Sequence, residues 1–252
     1  MEPDEINLWS LAVDGIADEA WPALNGVLDD EERARAARFR FDRDRRAYVA
    51  AHALLRHMLS HYLGRPPESW RFVAGEHGKP GLADPPPGRD LRFNLTHSRG
   101  MVAAVVAAAA EVGVDVESLD AAPAVLAVAD LSFTAGEMAG LSALPTETEK
   151  AERLLRLWTL KEALVKATGK GLAQPLSGVA VVSLAPARVA FPDRRDGDGA
   201  RWAFWQGLAG NHVLAVAVDW PRARPPTIRH RPLSPPPAGA GRHLFQDAGD
   251  PA

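Results

Sequence analysis

The spacing of apolar positions along the chain changes from a helical to a strand-like period several times. Residues 45–63 and 151–168 place apolar side chains three and four positions apart, which predicts two amphipathic helices. A shorter, arginine-rich helix is expected to begin at an N-cap formed by Asp29 and Asp30 and to reach about Phe41. Short apolar runs predict strands at residues 6–13, 70–73, 91–95, 101–109, 112–116, 179–184, 201–206 and 213–218.

This order of elements predicts an α+β protein built from two α+β halves that meet near residue 110. The first half would span residues 1–110 and the second residues 111–220. Residues 118–150 are expected to form helices and loops. From Pro221 to Ala252, eight of 32 residues are proline. We therefore expect a disordered C-terminal tail over residues 221–252, whose removal after Trp220 would leave folding and activity unchanged.

Composition narrows the class of protein. The chain of 252 residues has no cysteine, which excludes disulfides and cysteine-based metal or redox sites. Its longest apolar run, residues 101–110, is about half of the roughly 20 residues that span a bilayer. The acidic residues 1–5 lack the layout of a secretory signal. We expect a cytoplasmic protein with no membrane contact.

The net charge of −3 disfavours bulk nucleic-acid binding, but the charge is unevenly distributed. Residues 31–56 contain eight arginines against four acidic side chains. Such a patch could hold a small polyanion, bind RNA, or form a solvated helix face. Few exposed aromatic residues are expected among these arginines, so RNA binding is the less favoured interpretation.

Two carboxylates stand on one predicted strand. Asp115 and Glu117 are two positions apart and so point to the same face, while Val114 and Val116 face the core. Neighbouring carboxylates repel each other unless a cation or proton lies between them. Oxygen ligands without histidine or cysteine favour Mg²⁺ or Mn²⁺. The alternative is an exposed strand face that tolerates both charges.

Two further segments carry polar groups beside predicted elements. Glu162 and Lys166 lie four apart on a helix, where they could form an ordinary surface pair or join a metal and phosphate site. Thr96 and His97 end a strand, where a local capped turn is the alternative to a functional role.

Four motifs in this order resemble the surfactin-synthetase-activating type of 4′-phosphopantetheinyl transferase over roughly residues 6–220. The motifs are Gly78-Lys79-Pro80, Phe93-Asn94-Leu95-Thr96-His97-Ser98, Gly113-Val114-Asp115-Val116-Glu117 and Trp158-Thr159-Leu160-Lys161-Glu162-Ala163-Leu164-Val165-Lys166. The resemblance implies a fold of two similar α+β halves, although no internal repeat is visible in the sequence. It also implies a monomer that transfers the phosphopantetheine arm of coenzyme A to a serine of an apo acyl or peptidyl carrier protein.

The resemblance also implies roles for individual residues. The Mg²⁺ ligands would be Asp115, Glu117 and Glu162. The coenzyme A contacts would be Arg35, Arg46, Lys79, Pro80, Thr96, His97, Lys161 and Lys166. Catalysis would rest on Glu162 as base and on Lys166 at the diphosphate. The segment with Leu126 and Phe133 would meet the carrier protein. The rival interpretation is a non-catalytic coenzyme A or nucleotide-binding module.

Overall fold

The computed structural model describes residues 2–75, 77–192, 198–236 and 245. Its helices are α1 (Trp21–Gly26), α2 (Asp30–Ala36), α3 (Asp42–Leu63), α4 (Ala122–Leu126), α5 (Ala129–Ser132), α6 (Ala135–Ser142) and α7 (Glu147–Thr168). Its strands are β1 (Glu5–Ala12), β2 (Phe72–Ala74), β3 (Pro80–Leu82), β4 (Leu91–Ser98), β5 (Met101–Ala108), β6 (Val112–Ser118), β7 (Ala180–Leu184), β8 (Ala187–Ala190), β9 (Trp202–Ala209), β10 (His212–Asp219) and β11 (Thr227–Leu233). No helix within these described ranges combines the length and apolarity needed to cross a membrane.

The same order of elements occurs twice along the chain. In the first half, β1 is followed by short helices, the 22-residue α3, the small hairpin β2–β3 and the hairpin β4–β5. In the second half, β6 is followed by short helices, the 22-residue α7, the hairpin β7–β8 and the hairpin β9–β10. The sheets have matching strand orders, β1-β5-β4 and β6-β10-β9, with antiparallel neighbours. The prediction of two similar α+β halves is confirmed.

A buried ion pair also occurs at matching positions in the two halves. Arg56 on α3 and Lys161 on α7 each lie eight residues before the left-handed glycine that ends the helix. Arg56 donates to Glu32, and Lys161 donates to Glu137. Both glutamates occupy the N3 position of a capping box, at the start of α2 and of α6. In each half, a buried cation therefore fixes a short helix against the long one.

The two sheets pack against each other through an apolar layer. Ile6 and Leu8 of β1 and the buried residues of β5 meet Val114 and Val116 of β6 and the valines of β10. The inward orientation predicted for Val114 and Val116 is confirmed. Since alternate strand residues face opposite sides, this layer turns Asp115 away from it, toward α7.

The helix predicted from residue 29 to about Phe41 is shorter than expected, and the second predicted helix begins earlier. Helix α2 ends at Ala36, and α3 begins at Asp42 rather than at residue 45. Asp42 and Asp44 lie in the first turn of α3, where acidic side chains interact favourably with the exposed amide groups of the helix. Between the helices, Phe39 packs against the first-half core and Tyr48. Both helices were therefore predicted, but the boundary between them was placed wrongly.

The disordered tail predicted from Pro221 to Ala252 is wrong for its first part. Strand β11 pairs in parallel with β1 from Thr227 to Leu233, and Leu233 is buried in the first-half core. Phe245 also packs against that core. The prediction took proline as a sign of disorder. Proline is tolerated in β11, because β11 is an edge strand and no further strand needs a hydrogen bond from Pro232 on its outer side. Residues 237–244 and 246–252 lie outside the described residues.

Candidate active site at the junction of the two halves

Side chains, rather than backbone hydrogen bonds, join β4 to β6. Asn94, Thr96 and Ser98 occupy alternate positions on β4 and point to the same neighbour. The Val114 amide donates to Asn94 Oδ1 at 3.0 Å. Thr96 Oγ1 donates to Asp115 Oδ1 at 3.2 Å, and Ser98 Oγ donates to Glu117 Oε2 at 2.9 Å. We call these three side chains the β4 polar ladder; they align the first half with the carboxylates of the second.

Asp115 is buried in this junction, with 3% of its surface exposed. Its Oδ1 accepts hydrogen bonds from Thr96 and from Lys166, whose Nζ lies 2.6 Å away. Its Oδ2 is buried and has no hydrogen-bond partner among the residues that the structure describes. Burial raises the pKa of Asp115, although Lys166 acts in the opposite direction. A buried carboxylate oxygen without a partner is costly, so this atom is a candidate ligand for a cation.

Glu117 and Glu162 lie within electrostatic reach of Asp115. Burial, followed by repulsion from Asp115, raises the pKa of Glu117 to about 7. Burial and then Asp115 also raise the pKa of Glu162 on α7. The charges of these carboxylates repel one another, and a bound cation would relieve that repulsion.

Close packing of α7 on β6 brings Glu162 and Lys166 to this junction. A Cβ at Gly113 would overlap the carbonyl oxygen of Ala163 and the backbone nitrogen of Ala167. Because Gly113 has no side chain, the helix backbone lies directly on the strand. Lys166 Nζ then reaches both Asp115 and Thr96 Oγ1, the latter at 3.0 Å.

The donor set fits a magnesium ion in part. No group of three Asp, Glu, His or Cys side chains in the described ranges is gathered closely enough to hold a metal ion. Magnesium, however, usually uses one or two protein carboxylates, several waters and substrate phosphates. Asp115, with its unpartnered Oδ2, and the neighbouring Glu117 meet that requirement. Glu162 as a direct third ligand stays a prediction.

Two clefts lined by both arginines and carboxylates lie beside the junction on the first half. His97 and Arg46 line one of about 670 Å³, together with residues of the loop before α3 and of the β4–β5 turn. Arg35 lines another of about 610 Å³, and Phe39 borders both. Burial and then Lys166 lower the pKa of His97. Both volumes lie in the range of small-ligand sites.

Arg46 is engaged with the protein itself in this structure. Its guanidinium pairs with Asp18 and Asp42 and lies over the ring of Trp21. Its predicted contact with coenzyme A, like that of Arg35, stays a prediction.

Lys79 joins the two halves behind the junction. Its Nζ donates to Glu111 Oε2 at 2.7 Å and to the carbonyl oxygens of Val112 and Ala167 at 3.0 Å each. Pro80, the next residue, begins β3. The ammonium group is thus hydrogen bonded to the second half, and the coenzyme A contacts predicted for Lys79 and Pro80 stay predictions.

The structure contradicts the coenzyme contact predicted for Lys161. This side chain is 0% exposed, and its Nζ donates to Glu137 Oε2, Ser132 O and Leu176 O. Lys161 and Lys166 are five positions apart, so they point in very different directions around α7. Phe133, predicted to meet a carrier, is also buried, with Lys161 lying over its ring.

Sequence reasoning missed Asn94, Ser98 and Glu111 as parts of this region. The alternation of polar residues at positions 94, 96 and 98 was a signal for the β4 polar ladder, because alternate strand residues share one face. The local capped turn considered for Thr96 is wrong, since Thr96 lies within β4 and contacts a different strand. No local signal indicated the pairing of Glu111 with Lys79.

Comparison with known proteins covers both halves. Residues 111–217 match the model of the 4′-phosphopantetheinyl transferase superfamily, and residues 16–111 match that of the 4′-phosphopantetheinyl transferase N-terminal region. The chain is 36% identical over 171 residues to the 4′-phosphopantetheinyl transferase HetI of Nostoc sp., covering 68% of this chain and 71% of that protein.

Two further relatives extend this likeness. The 4′-phosphopantetheinyl transferase psf-1 of Bacillus pumilus is 37% identical over 61% of this chain and 63% of its own length. A phosphopantetheinyl transferase of Thraustochytrium sp. is 29% identical over 86% of this chain and 80% of its own length. The duplicated fold, the two matching models and these relatives agree: the chain belongs to the 4′-phosphopantetheinyl transferase superfamily.

Proposed function

We propose that this protein is a transferase that moves the 4′-phosphopantetheine group of coenzyme A to a serine of an apo carrier protein. The observation that carries the proposal is the junction itself, where Asp115, with its unpartnered Oδ2, and the ammonium of Lys166 adjoin a cleft that His97 and Arg46 line. Family membership supports the same reaction. A non-catalytic binding module finds no support among these relatives.

In the proposed reaction, the serine hydroxyl oxygen forms a bond to the β-phosphorus of coenzyme A. The bond from that phosphorus to the bridging oxygen breaks, and adenosine 3′,5′-bisphosphate leaves. Bound magnesium would supply divalent charge that neutralises the diphosphate oxygens, with Asp115 and Glu117 as its protein ligands. Lys166 would add positive charge at the same place, as is typical of phosphoryl transfer sites.

Glu162 is the proposed base for the serine hydroxyl, directly or through a bound water. Its raised pKa supports this role, because a carboxylate with a higher proton affinity is a better acceptor. Thr96 and His97 are the proposed contacts to the coenzyme phosphates, and Arg46 and Arg35 the proposed contacts to its 3′-phosphate. His97 and Arg46 line one cleft of ligand size and Arg35 lines another, which supports that assignment.

We also propose the finer assignments that the motifs imply: the surfactin-synthetase-activating type, Mg²⁺ with Mn²⁺ as a substitute, a monomer, and the cytoplasm. The carrier, from fatty-acid, polyketide or nonribosomal-peptide synthesis, would dock on α4 and α5. Leu126 and Leu131 support this surface, being 52% and 77% exposed although apolar.

The test is incubation with coenzyme A, Mg²⁺ and an apo carrier protein, followed by mass spectrometry of the carrier. We expect the carrier to gain the mass of the phosphopantetheine arm. Asp115→Ala should nearly abolish the gain without lowering the melting temperature, since it removes an acidic group that burial already penalises. Glu147→Ala, which changes an exposed carboxylate at the other end of α7, is the matched control and should leave transfer unchanged. Wild-type turnover by Asp115→Ala at low Mg²⁺ would refute the assigned site.

A further inference from the structure

The Ser98 side chain spans the junction at a point that no assigned role explains. Its Oγ donates to Glu117 Oε2 at 2.9 Å and accepts a hydrogen bond from the Ser118 amide at 3.3 Å. One hydroxyl from the first half thus contacts both a proposed ligand side chain and the backbone that follows it in the second half.

The contact differs from those of the other two members of the β4 polar ladder. Asn94 binds backbone only, at the Val114 amide, and so aligns the strands without touching a carboxylate. Thr96 contacts Asp115 Oδ1, an oxygen that Lys166 also holds. Glu117 accepts a hydrogen bond from Ser98, and within the described part of the chain Lys166 forms its salt bridge with Asp115 rather than with Glu117. The orientation of Glu117 therefore depends on Ser98 more than that of Asp115 depends on Thr96.

The backbone contact leaves the serine hydrogen available for the carboxylate. Because the Ser118 amide donates to Ser98 Oγ, the hydroxyl hydrogen is free to be donated to Glu117. A carboxylate held by a fixed donor at one oxygen presents the other oxygen in a restricted direction. Outer hydrogen-bond partners of this kind orient metal ligands in proteins generally.

We propose that Ser98 is a positioning residue that orients the Glu117 carboxylate for cation binding at the junction. The proposal rests on the proposed function, because it takes Glu117 to be a ligand of the metal used in the transfer. Ser98 itself touches neither the coenzyme nor the reacting atoms in this role. It acts from the first half on a ligand carried by the second, and so makes the site depend on the alignment of the halves.

The test compares Ser98→Ala with Ser98→Thr, which keeps the hydroxyl and suits a strand. The matched control is Ser10→Ala. Ser10 is a buried strand serine whose Oγ is hydrogen bonded to His230 at 2.8 Å, and it contacts no proposed site residue. The first readout is the affinity of the full chain for Mn²⁺ without coenzyme A or carrier, measured by electron paramagnetic resonance. The second is the kcat of transfer and the KM for coenzyme A.

We expect Ser98→Ala to weaken Mn²⁺ binding about 10-fold, as the loss of an outer hydrogen-bond partner does at metal sites. The kcat at subsaturating metal should fall while the KM for coenzyme A stays unchanged. Ser98→Thr should recover most of the Mn²⁺ affinity, and Ser10→Ala should bind Mn²⁺ like the wild type. All variants should melt within a few degrees of one another.

Equal Mn²⁺ affinity of Ser98→Ala and Ser10→Ala would overturn the proposal, as would failure of Ser98→Thr to recover binding or absence of Mn²⁺ binding by the wild type. If the wild type binds Mn²⁺ with the expected Ser98 dependence but transfers nothing to the carrier, the positioning role stands and the proposed function fails. The two conclusions are therefore separable.

Discussion

Replacing Lys161 with methionine separates a structural role from a coenzyme-binding one. The family resemblance assigns this lysine to the coenzyme, whereas the structure buries its ammonium group against Glu137 and two carbonyl oxygens. Methionine has a similar length and no charge, so Lys161→Met would remove the ion pair without opening a large cavity. The carboxylate of Glu137 would then stay buried with its cation gone.

The expected cost follows from these contacts. Removing one partner of a buried ion pair typically costs about 3–5 kcal/mol, because the remaining charge is uncompensated. Glu137 still accepts hydrogen bonds from the amides of Thr134 and Val181, which places the cost toward the lower end. For a protein of this size, each kcal/mol lowers the melting temperature by about 2–4 °C, which gives a decrease of about 6–20 °C.

Scanning calorimetry and steady-state kinetics check this expectation together. Below its melting temperature, Lys161→Met should keep the wild-type KM for coenzyme A. Lys150→Met changes a partly exposed lysine on the same helix, paired with the exposed Glu147, and should change the melting temperature little. Adding Glu137→Gln to Lys161→Met should recover part of the stability, since it removes the uncompensated charge. An unchanged melting temperature with a raised KM would refute the structural role.

Three further predictions concern other contacts. Gly113→Ala should cost at least about 1–3 kcal/mol in urea unfolding and reduce transfer, because its Cβ would force α7 away from β6, whereas Gly140→Ala, with open space around it, should not. Truncation after Trp220 should lower the melting temperature by several degrees, since it removes β11 and the buried Leu233; an unchanged value would contradict the pairing with β1. Burial alone would raise the pKa of Glu32, but His52 and Arg56 bring it below its ordinary value of 4.5. The stabilising contribution of the Glu32 carboxylate is therefore present above pH 4.5 and lost as the pH falls further. Glu32→Gln should weaken this acid dependence of the unfolding free energy.

Local patterns were sufficient for the elements that surround the site. Residues 91–95, 101–109 and 112–116 were predicted as strands, and they lie in β4, β5 and β6. The same-face argument for Asp115 and Glu117 needed only the period of a strand. These predictions succeeded because the information lies within a few neighbouring residues.

Partners distant in sequence could not be predicted in this way. Lys161 has the same local context whether its ammonium faces the coenzyme or Glu137, 24 positions earlier. The strand character of residues 227–233 depends on the free edge of β1, more than 200 positions away. Short-range periodicity contains no information on such pairings, so a proline-rich edge strand was indistinguishable from a tail.

The duplicated fold places different residue types at corresponding positions of the two halves, so within the described residues only the second half provides the carboxylates of the junction. Trp9 pairs with Ala104 in the first sheet as Asp115 pairs with Ala215 in the second, so these two positions correspond. His57 and His61 follow Arg56 at the spacing at which Glu162 and Lys166 follow Lys161. The first half therefore has an indole and two imidazoles where the second half has its acidic and basic groups, and Trp9 packs against His61 at 5.4 Å. Strand β11 occupies the outer edge of β1, whereas the corresponding side of β6 faces the β4 polar ladder. Aromatic packing and an added strand thus occupy these positions in the first half, while the second half keeps the buried charges that the proposed chemistry requires.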